Sequence, residues 1–137
     1  ISSSGQTILE PDPAALVADQ IRAIDYTYQS SDKNIFSINT LTNPLYINAV
    51  WAYDYMWYGQ KQYGFLPTWA GGDQVYPYNT LAPYSKKEQH LYLLMDQTNR
   101  IPFVPKLSLI DWADKHSKLL ETREFGGILV QKRILTN

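Results

Sequence analysis

The sequence predicts a single soluble α/β domain, with a mixed, largely parallel sheet, about three helices packed on it and a long aromatic loop. The chain has 137 residues, close to the commonest domain size, and its 45% hydrophobic and 18% charged residues are ordinary for a globular protein. Segments with helical spacing of apolar residues alternate with short β-branched segments, which is typical of a sheet covered by helices. We therefore expect residues 1–137 to form one domain, with residues 1–9 as a polar lead-in.

The first helix is expected to begin at Asp12 and Pro13, because Asp caps helix N-termini and Pro is tolerated at the first helical position. The polar run 30–34 ends this helix, and the short alternating run 35–40 follows as a strand. The inner face of the helix is predicted from apolar side chains at helical spacing, which are Val17, Ile21, Ile24 and Tyr28.

A second helix is predicted over residues 45–61, with Asn43 and Pro44 as its cap and Gly59 or Gly64 as its end. Its broad inner face is expected to comprise Ile47, Val50, Trp51, Asp54, Tyr55 and Tyr58. Residues 64–88 are then rich in glycine and proline, which predicts a long irregular loop. Such a loop inside a compact domain is usually functional or mobile.

The C-terminal part is predicted to begin with a strand over 90–95, which is dense in Leu, followed by a helix. Ser108 and Asp111 resemble a capping box, so we expect this helix to start at Ser108. Its inner stripe is expected to contain Leu109, Trp112, Ala113, His116 and Leu120. The helix would join the 90–95 strand to the last strands by a right-handed crossover.

Two final strands are predicted within residues 120–135, around Gly126 and Gly127. The run 128–130 is apolar and is expected to be buried. The charged run 131–133 is expected to lie at an edge of the sheet, where charge discourages aggregation.

The composition excludes several classes of function. Lys and Arg total 12 against 13 Asp and Glu, so there is no basic excess to bind nucleic acid. The absence of Cys excludes disulfides, thiolate catalysis and cysteine-based zinc sites. No apolar run approaches the ~20 residues of a membrane span. Because the chain begins at Ile1 without Met, we expect it to be part of a longer protein, with any membrane or targeting segment upstream.

No catalytic centre, metal site or cofactor site is predicted. The two histidines, His90 and His116, are far apart and lack metal-ligand spacing. His116 is expected to pack on the inner stripe of its helix, and His90 to lie near the surface. The common nucleophile, zinc-protease and phosphate-loop motifs are missing.

Two weaker patterns are better explained by structure than by chemistry. Gly71, Gly72 and Asp73 lack the preceding strand and following helix of a phosphate loop, so we expect them to turn the chain. Asp54 and Asp73 flank the aromatic stretch and could form a carboxylate pair for glycoside chemistry. Nothing in their spacing favours that role.

The most unusual feature is a concentration of Tyr and Trp between Tyr46 and Tyr84. These side chains combine an apolar body with a polar tip, which suits sugar faces, protein interfaces and membrane interfaces. They could equally form a satellite core beneath a folded-back loop. On a helix, Tyr53 and Trp57 would face away from Trp51 and Tyr55. The candidate ligand-binding residues are Trp51, Tyr55, Trp57, Tyr58, Trp69, Tyr76 and Tyr78.

The chain resembles a known family in four segments, which are 39–46, 57–59, 63–67 and 124–133. These segments are similar to the C-terminal soluble region of bacterial membrane glycosyltransferases of the protein-O-mannosyltransferase and aminoarabinose-transferase type. The similarity spans about residues 14–135 and rests on aromatic and glycine patterns without a reactive group.

The resemblance implies a soluble, non-catalytic extracytoplasmic domain that follows the last membrane span of an enzyme with a polyprenyl-phosphate sugar donor. The catalytic residues of such enzymes lie in the membrane part, so none is carried over here. Implied partners are the membrane part of the same polypeptide and a glycan or lipid-linked sugar, and the domain would assist acceptor binding or assembly. A carbohydrate-binding or ligand-sensing extracytoplasmic domain and a purely structural interaction module remain as alternatives.

Overall fold

The computed structural model describes residues 13–41, 49–71, 81–96 and 103–136, and these residues form an α/β fold around one mixed sheet. The helices are α1 (Pro13–Ser30), α2 (Ala49–Asp54), α3 (Gln60–Tyr63) and α4 (Phe103–His116), and a π-helical segment, Tyr55–Gly59, joins α2 to α3. The strands are β1 (Phe36–Leu41), β2 (Thr68–Trp69), β3 (His90–Asp96), β4 (Ser117–Phe125) and β5 (Ile128–Leu135). The predicted fold class is confirmed.

The five strands lie in the order β2-β1-β3-β5-β4. The pairs β1–β2 and β1–β3 are parallel, whereas β3–β5 and β4–β5 are antiparallel. Because β5 lies between them and is antiparallel to both, β3 and β4 run in the same direction. Helix α4 therefore joins two strands of the same direction, as expected of a crossover.

Both faces of the sheet are covered near its centre, and β3 shows this most clearly. Tyr92 and Leu94 pack into one cluster with α1 and α2, while Leu91, Leu93 and Met95 pack into a second cluster with Ala113 of α4. A strand buried on both faces reads as a continuous apolar run, which explains the Leu-dense sequence of β3.

Helix α1 extends over the predicted range, and its predicted inner face is confirmed at Ile24 and Tyr28, which are buried. Val17 is exposed instead, and the buried positions begin with Gln20 and Ala23. The end of α1 is closed by two backbone bonds, from Asp32 N–H to Gln29 O at 3.2 Å and from Lys33 N–H to Tyr28 O at 3.0 Å. This is a Schellman arrangement, and Asp32 occupies its left-handed position with φ 57°.

The second predicted helix is confirmed from residue 49 onwards, and residues 45–48 lie outside the described residues. It ends at Gly64, whose φ of 89° is left-handed and whose N–H bonds to Gln60 O. Glycine suits this position because it adopts positive φ without a Cβ clash.

The predicted loop over 64–88 is irregular in most of its described residues but also contains a strand, β2. Thr68 and Trp69 pair with β1, and Trp69 bridges to Pro83. The carboxylate of Glu88, which is buried, accepts hydrogen bonds from Thr68 and from Ser85. Burial would raise the pKa of Glu88, but these hydrogen bonds stabilise its charged form and lower that pKa. Residues 72–80 lie outside the described part.

The start of the C-terminal helix differs from the prediction. Helix α4 begins at Phe103, so Ser108 is inside the helix rather than at its cap. Pro105 falls in the first turn, where proline is tolerated because the amide has no helical partner. The helix ends at His116, and Leu120 belongs to β4.

The charged run 131–133 does not lie at an edge, because β5 is flanked by β3 and β4. Arg133 is 2% exposed. Its guanidinium donates to Asp114 Oδ1 at 2.9 Å and to Gln131 Oε1 at 3.0 and 2.9 Å. The exposed edge strand is β4. A buried charge is tolerated here because the guanidinium finds several acceptors.

Candidate functional site: an aromatic pair on a π-helical segment

The aromatic stretch is carried by a helix that changes its pitch. Backbone bonding widens to the π-helical pattern over Tyr55–Gly59, and the N–H of Gln60 reaches back to Tyr55 O. A π-helical turn holds more residues than an α-helical one, so it redistributes side chains around the helix. Such segments are frequent at functional sites.

The inward side chains of this helix belong to the core. Trp51 and Tyr55 are buried, and the Tyr55 hydroxyl lies 2.9 Å from Thr27 Oγ1 of α1. Trp69 of β2 is also buried. These three sequence candidates belong to the main core, where they anchor the helix and the sheet edge.

The outward side chains form an exposed pair. Tyr53 is 45% exposed and Trp57 is 47% exposed. Their rings are nearly parallel, with an interplanar angle of 5° and centroids 6.5 Å apart. We call these two residues the Tyr53–Trp57 pair. Among the sequence candidates that the structure describes, Trp57 is the most exposed.

Tyr58 links this pair to a polar cluster on α1. Its ring lies 6.3 Å from that of Trp57, and its hydroxyl donates to Asp25 Oδ1 at 2.8 Å. Tyr63 donates to the same oxygen at 2.6 Å, and Gln29 Nε2 donates to the Tyr63 hydroxyl at 3.3 Å. We call Asp25, Gln29, Tyr58 and Tyr63 the Asp25 cluster.

The two tyrosines of the Asp25 cluster keep their protons at neutral pH. Burial and the hydrogen bond to Asp25 raise the pKa of Tyr58, and the same causes raise the pKa of Tyr63 to about 12. Both phenols therefore remain donors. Each has its proton directed at the carboxylate, which leaves Asp25 Oδ2 without a hydrogen bond in the described part of the chain.

The cluster is held in place by packing against α1. The ring of Tyr63 stacks on that of Tyr28 with centroids 4.3 Å apart and an interplanar angle of 10°. The Tyr28 hydroxyl in turn donates to Phe65 O at 2.6 Å. The stacking restricts the ring of Tyr63, so little of its side-chain entropy would be lost if a ligand bound to it.

Asp54 lies at the junction of α2 and the π-helical segment. It is 7% exposed, and its Oδ2 has no hydrogen-bond partner in the described structure. Burial raises the pKa of Asp54 to about 7. In the folded protein, a large fraction of this carboxyl is therefore protonated and uncharged at neutral pH. Its possible catalytic partner Asp73, and the candidates Tyr76 and Tyr78, lie outside the described residues.

The histidines do not form a site in the described structure. His116 is exposed, against the prediction that it packs inward, and its ring lies 5.2 Å from that of Trp112. His90 is partly buried, and burial together with the charge of Lys132 lowers its pKa. Among the described residues, no group of three His, Asp or Glu side chains could hold a metal ion.

Four members of this site were not sequence candidates, namely Tyr53, Asp25, Gln29 and Tyr63. The i,i+4 spacing of Tyr53 and Trp57 was the available signal, since it puts both on one helix face away from Trp51 and Tyr55. Asp25 had no such signal, because its role depends on how α1 packs against the second helix.

No helix within the described ranges is long and apolar enough to cross a membrane. Comparisons of the chain with protein-family models, with curated proteins and with solved structures found no match.

Proposed function

We propose that this chain is a non-catalytic domain of a bacterial membrane glycosyltransferase that uses a polyprenyl-phosphate sugar donor. In this proposal the domain lies on the extracytoplasmic side, is anchored through upstream membrane segments, and helps to bind the acceptor or the lipid-linked sugar. The observation that carries the proposal is the exposed Tyr53–Trp57 pair, because it offers a contact surface without any reactive group.

Tyr53 and Trp57 are large aromatic side chains that the folded chain leaves close to half exposed. The helix is already anchored by Trp51 and Tyr55, and leaving two rings half exposed forgoes about 25 cal/mol of stabilisation for each Å² of apolar surface left in water. Adjacent exposed aromatic rings are typical of contact sites for sugars and other partners. The membrane context comes from the sequence resemblance.

A second candidate is a carbohydrate-binding domain that works outside any transferase. The proximity of the Asp25 cluster to the Tyr53–Trp57 pair favours it, since hydrogen-bonding side chains then lie beside exposed aromatic rings. The purely structural module fits the buried residues Trp51, Tyr55 and Trp69, but it gives no role to the exposed pair.

The first experiment concerns the native protein. An antibody to this chain would give the mass of the antigen and its distribution between soluble and membrane fractions. We expect a product several times larger than 15.8 kDa that stays with membranes after salt and alkali washes. A soluble product of about the chain's own mass would overturn the transferase proposal and leave the free carbohydrate-binding domain.

The second experiment tests the contact surface in the full enzyme. Trp57→Ala and Tyr53→Ala should lower glycosyl transfer without lowering the amount of enzyme in the membrane. Trp112→Ala is the matched control, because Trp112 packs on the opposite face of the sheet. Unchanged transfer in both aromatic variants would remove the pair from the proposed function.

A further inference from the structure

We infer that the Tyr53–Trp57 pair and the Asp25 cluster together form a subsite for a single uncharged pyranose ring. This inference rests on the proposed function, which it extends by naming the chemical class of the ligand. The subsite has an apolar half on the π-helical segment and a polar half on the neighbouring face of α1, joined by Tyr58.

The apolar half suits the C–H face of a sugar. The rings of Tyr53 and Trp57 stack within 5° of parallel, with centroids 6.5 Å apart, and both are close to half exposed, so apolar ring surface of the pair is open to solvent. A pyranose has a face of axial C–H groups that packs on aromatic rings. A flexible, open-chain polyol has no such face, so the aromatic rings should bind a pyranose in preference to it.

The polar half suits sugar hydroxyl groups. Asp25 Oδ1 already accepts from Tyr58 and Tyr63, while Oδ2 has no hydrogen bond within the described residues, so it can accept from a ligand hydroxyl. Both phenol oxygens retain acceptor capacity, and Gln29 uses part of that of Tyr63. A ligand with several adjacent hydroxyl groups could satisfy this set.

Charge excludes the phosphate of a lipid-linked sugar from the polar half of the subsite. The charged group of the Asp25 cluster is a carboxylate, which repels an anion at hydrogen-bonding distance. The phenol protons, which could otherwise donate to a phosphate, are directed at Asp25. The sugar ring, and not the phosphate, is therefore the part that the subsite fits.

The binding test uses the 137-residue chain and simple probes. Methyl glycopyranosides of glucose, galactose and mannose would be titrated, with saturation-transfer NMR and tryptophan fluorescence as readouts. Sorbitol is the control probe, because it has comparable hydroxyl groups but no ring face. We expect binding of at least one pyranoside in the millimolar range and none of sorbitol.

Variants assign the binding to the two halves. Trp57→Ala should weaken pyranoside binding by about tenfold or more, equivalent to about 1.4 kcal/mol. Asp25→Asn should weaken it by about threefold or more, while the Asn carbonyl still accepts from the two tyrosines. Trp112→Ala should bind like the wild-type chain. Amide NMR spectra of the variants would establish that each remains folded.

Two outcomes would overturn the subsite. One is the absence of saturation transfer from all three pyranosides, and the other is binding that Trp57→Ala leaves unchanged. The failure of the subsite is distinguishable from that of the proposed function. If pyranosides do not bind but Trp57→Ala still lowers transfer in the membrane enzyme, the pair contacts another part of that enzyme and the proposed function stands.

Discussion

Gly126, in the turn between β4 and β5, lies directly against the carboxylate of Asp19 on α1. Its φ of 62° is left-handed, so two independent constraints act on this residue. A side chain at position 126 would be strained by the backbone and would also collide with Asp19. The turn is thereby fixed against the first helix, on the side of the sheet that also carries the Asp25 cluster.

Gly126→Ala should lower the free energy of unfolding by about 2 kcal/mol, from left-handed strain and from displacement of Asp19. Gly127→Ala is the matched control, since an added Cβ there meets nothing within 4 Å. Urea denaturation of the two variants would measure the difference. Equal stability of both variants would contradict the placement of Gly126 against α1.

Asp32 is expected to be a position where glycine is better than the natural residue. Its φ of 57° is costly for a side chain, and its negative charge lies at the C-terminal end of α1, where the helix dipole favours positive charge. Asp32→Gly should raise the free energy of unfolding by about 0.5–1 kcal/mol, measured by urea denaturation.

The control for this prediction is the same substitution inside a helix. Asp111 is exposed within α4, so Asp111→Gly should destabilise the chain by about 0.5–1 kcal/mol through helix propensity. Opposite signs for the two variants are the expected result. Destabilisation by both would mean that Asp32 is not strained in the folded chain.

Much of the fold could be predicted from local sequence. The start of α1 at Pro13, the extent of β3 and the turn at Gly126 follow from capping, apolar runs and turn residues. The prediction that Arg133 lies at an edge of the sheet is wrong, because strand pairing decides which strand is outermost. No local sequence pattern shows that β4 rather than β5 lies at the edge. Likewise, helix α4 begins before the predicted cap Ser108, because Pro105 is tolerated in the first turn of a helix.

The candidate site could be predicted only in part. An α-helical pattern separated Trp51 and Tyr55 from Tyr53 and Trp57, and the structure confirms that only the second pair is exposed. The π-helical segment could not be read from spacing, because one additional residue per turn leaves no distinctive pattern in so short a segment. Asp25 could not be predicted, because it lies in the site only where α1 packs against the helix that carries Tyr58 and Tyr63.

Asp54 should make the stability of the chain depend on pH. Its pKa of about 7 in the folded state is above the usual value of an unfolded Asp, so the folded chain binds the proton more tightly. The stabilisation is complete below about pH 4 and is lost as the pH rises to about 7. The loss should be of the order of 2–4 kcal/mol for a carboxyl that stays buried.

Asp54→Asn should remove this part of the pH dependence, because the amide is neutral throughout the range. We expect the variant to be more stable than the wild-type chain at pH 8 and closer to it at pH 5, in urea denaturation. Asp111→Asn is the control for the same change of charge on an exposed residue. An Asp54→Asn variant with the pH profile of the wild-type chain would contradict the burial of this carboxyl.

Trp57 should dominate the collisional quenching of tryptophan fluorescence by iodide. Trp51 and Trp69 are buried, Trp112 is partly buried, and Trp57 is 47% exposed, so an ionic quencher reaches its indole ring best. Trp57→Phe should lower the Stern–Volmer constant by about half or more, while keeping an aromatic ring at the surface. Trp69→Phe is the control and should leave the quenchable fraction unchanged or larger. If quenching were instead lost in Trp69→Phe and kept in Trp57→Phe, Trp69 rather than Trp57 would be the accessible indole, which would contradict the exposure of the Tyr53–Trp57 pair.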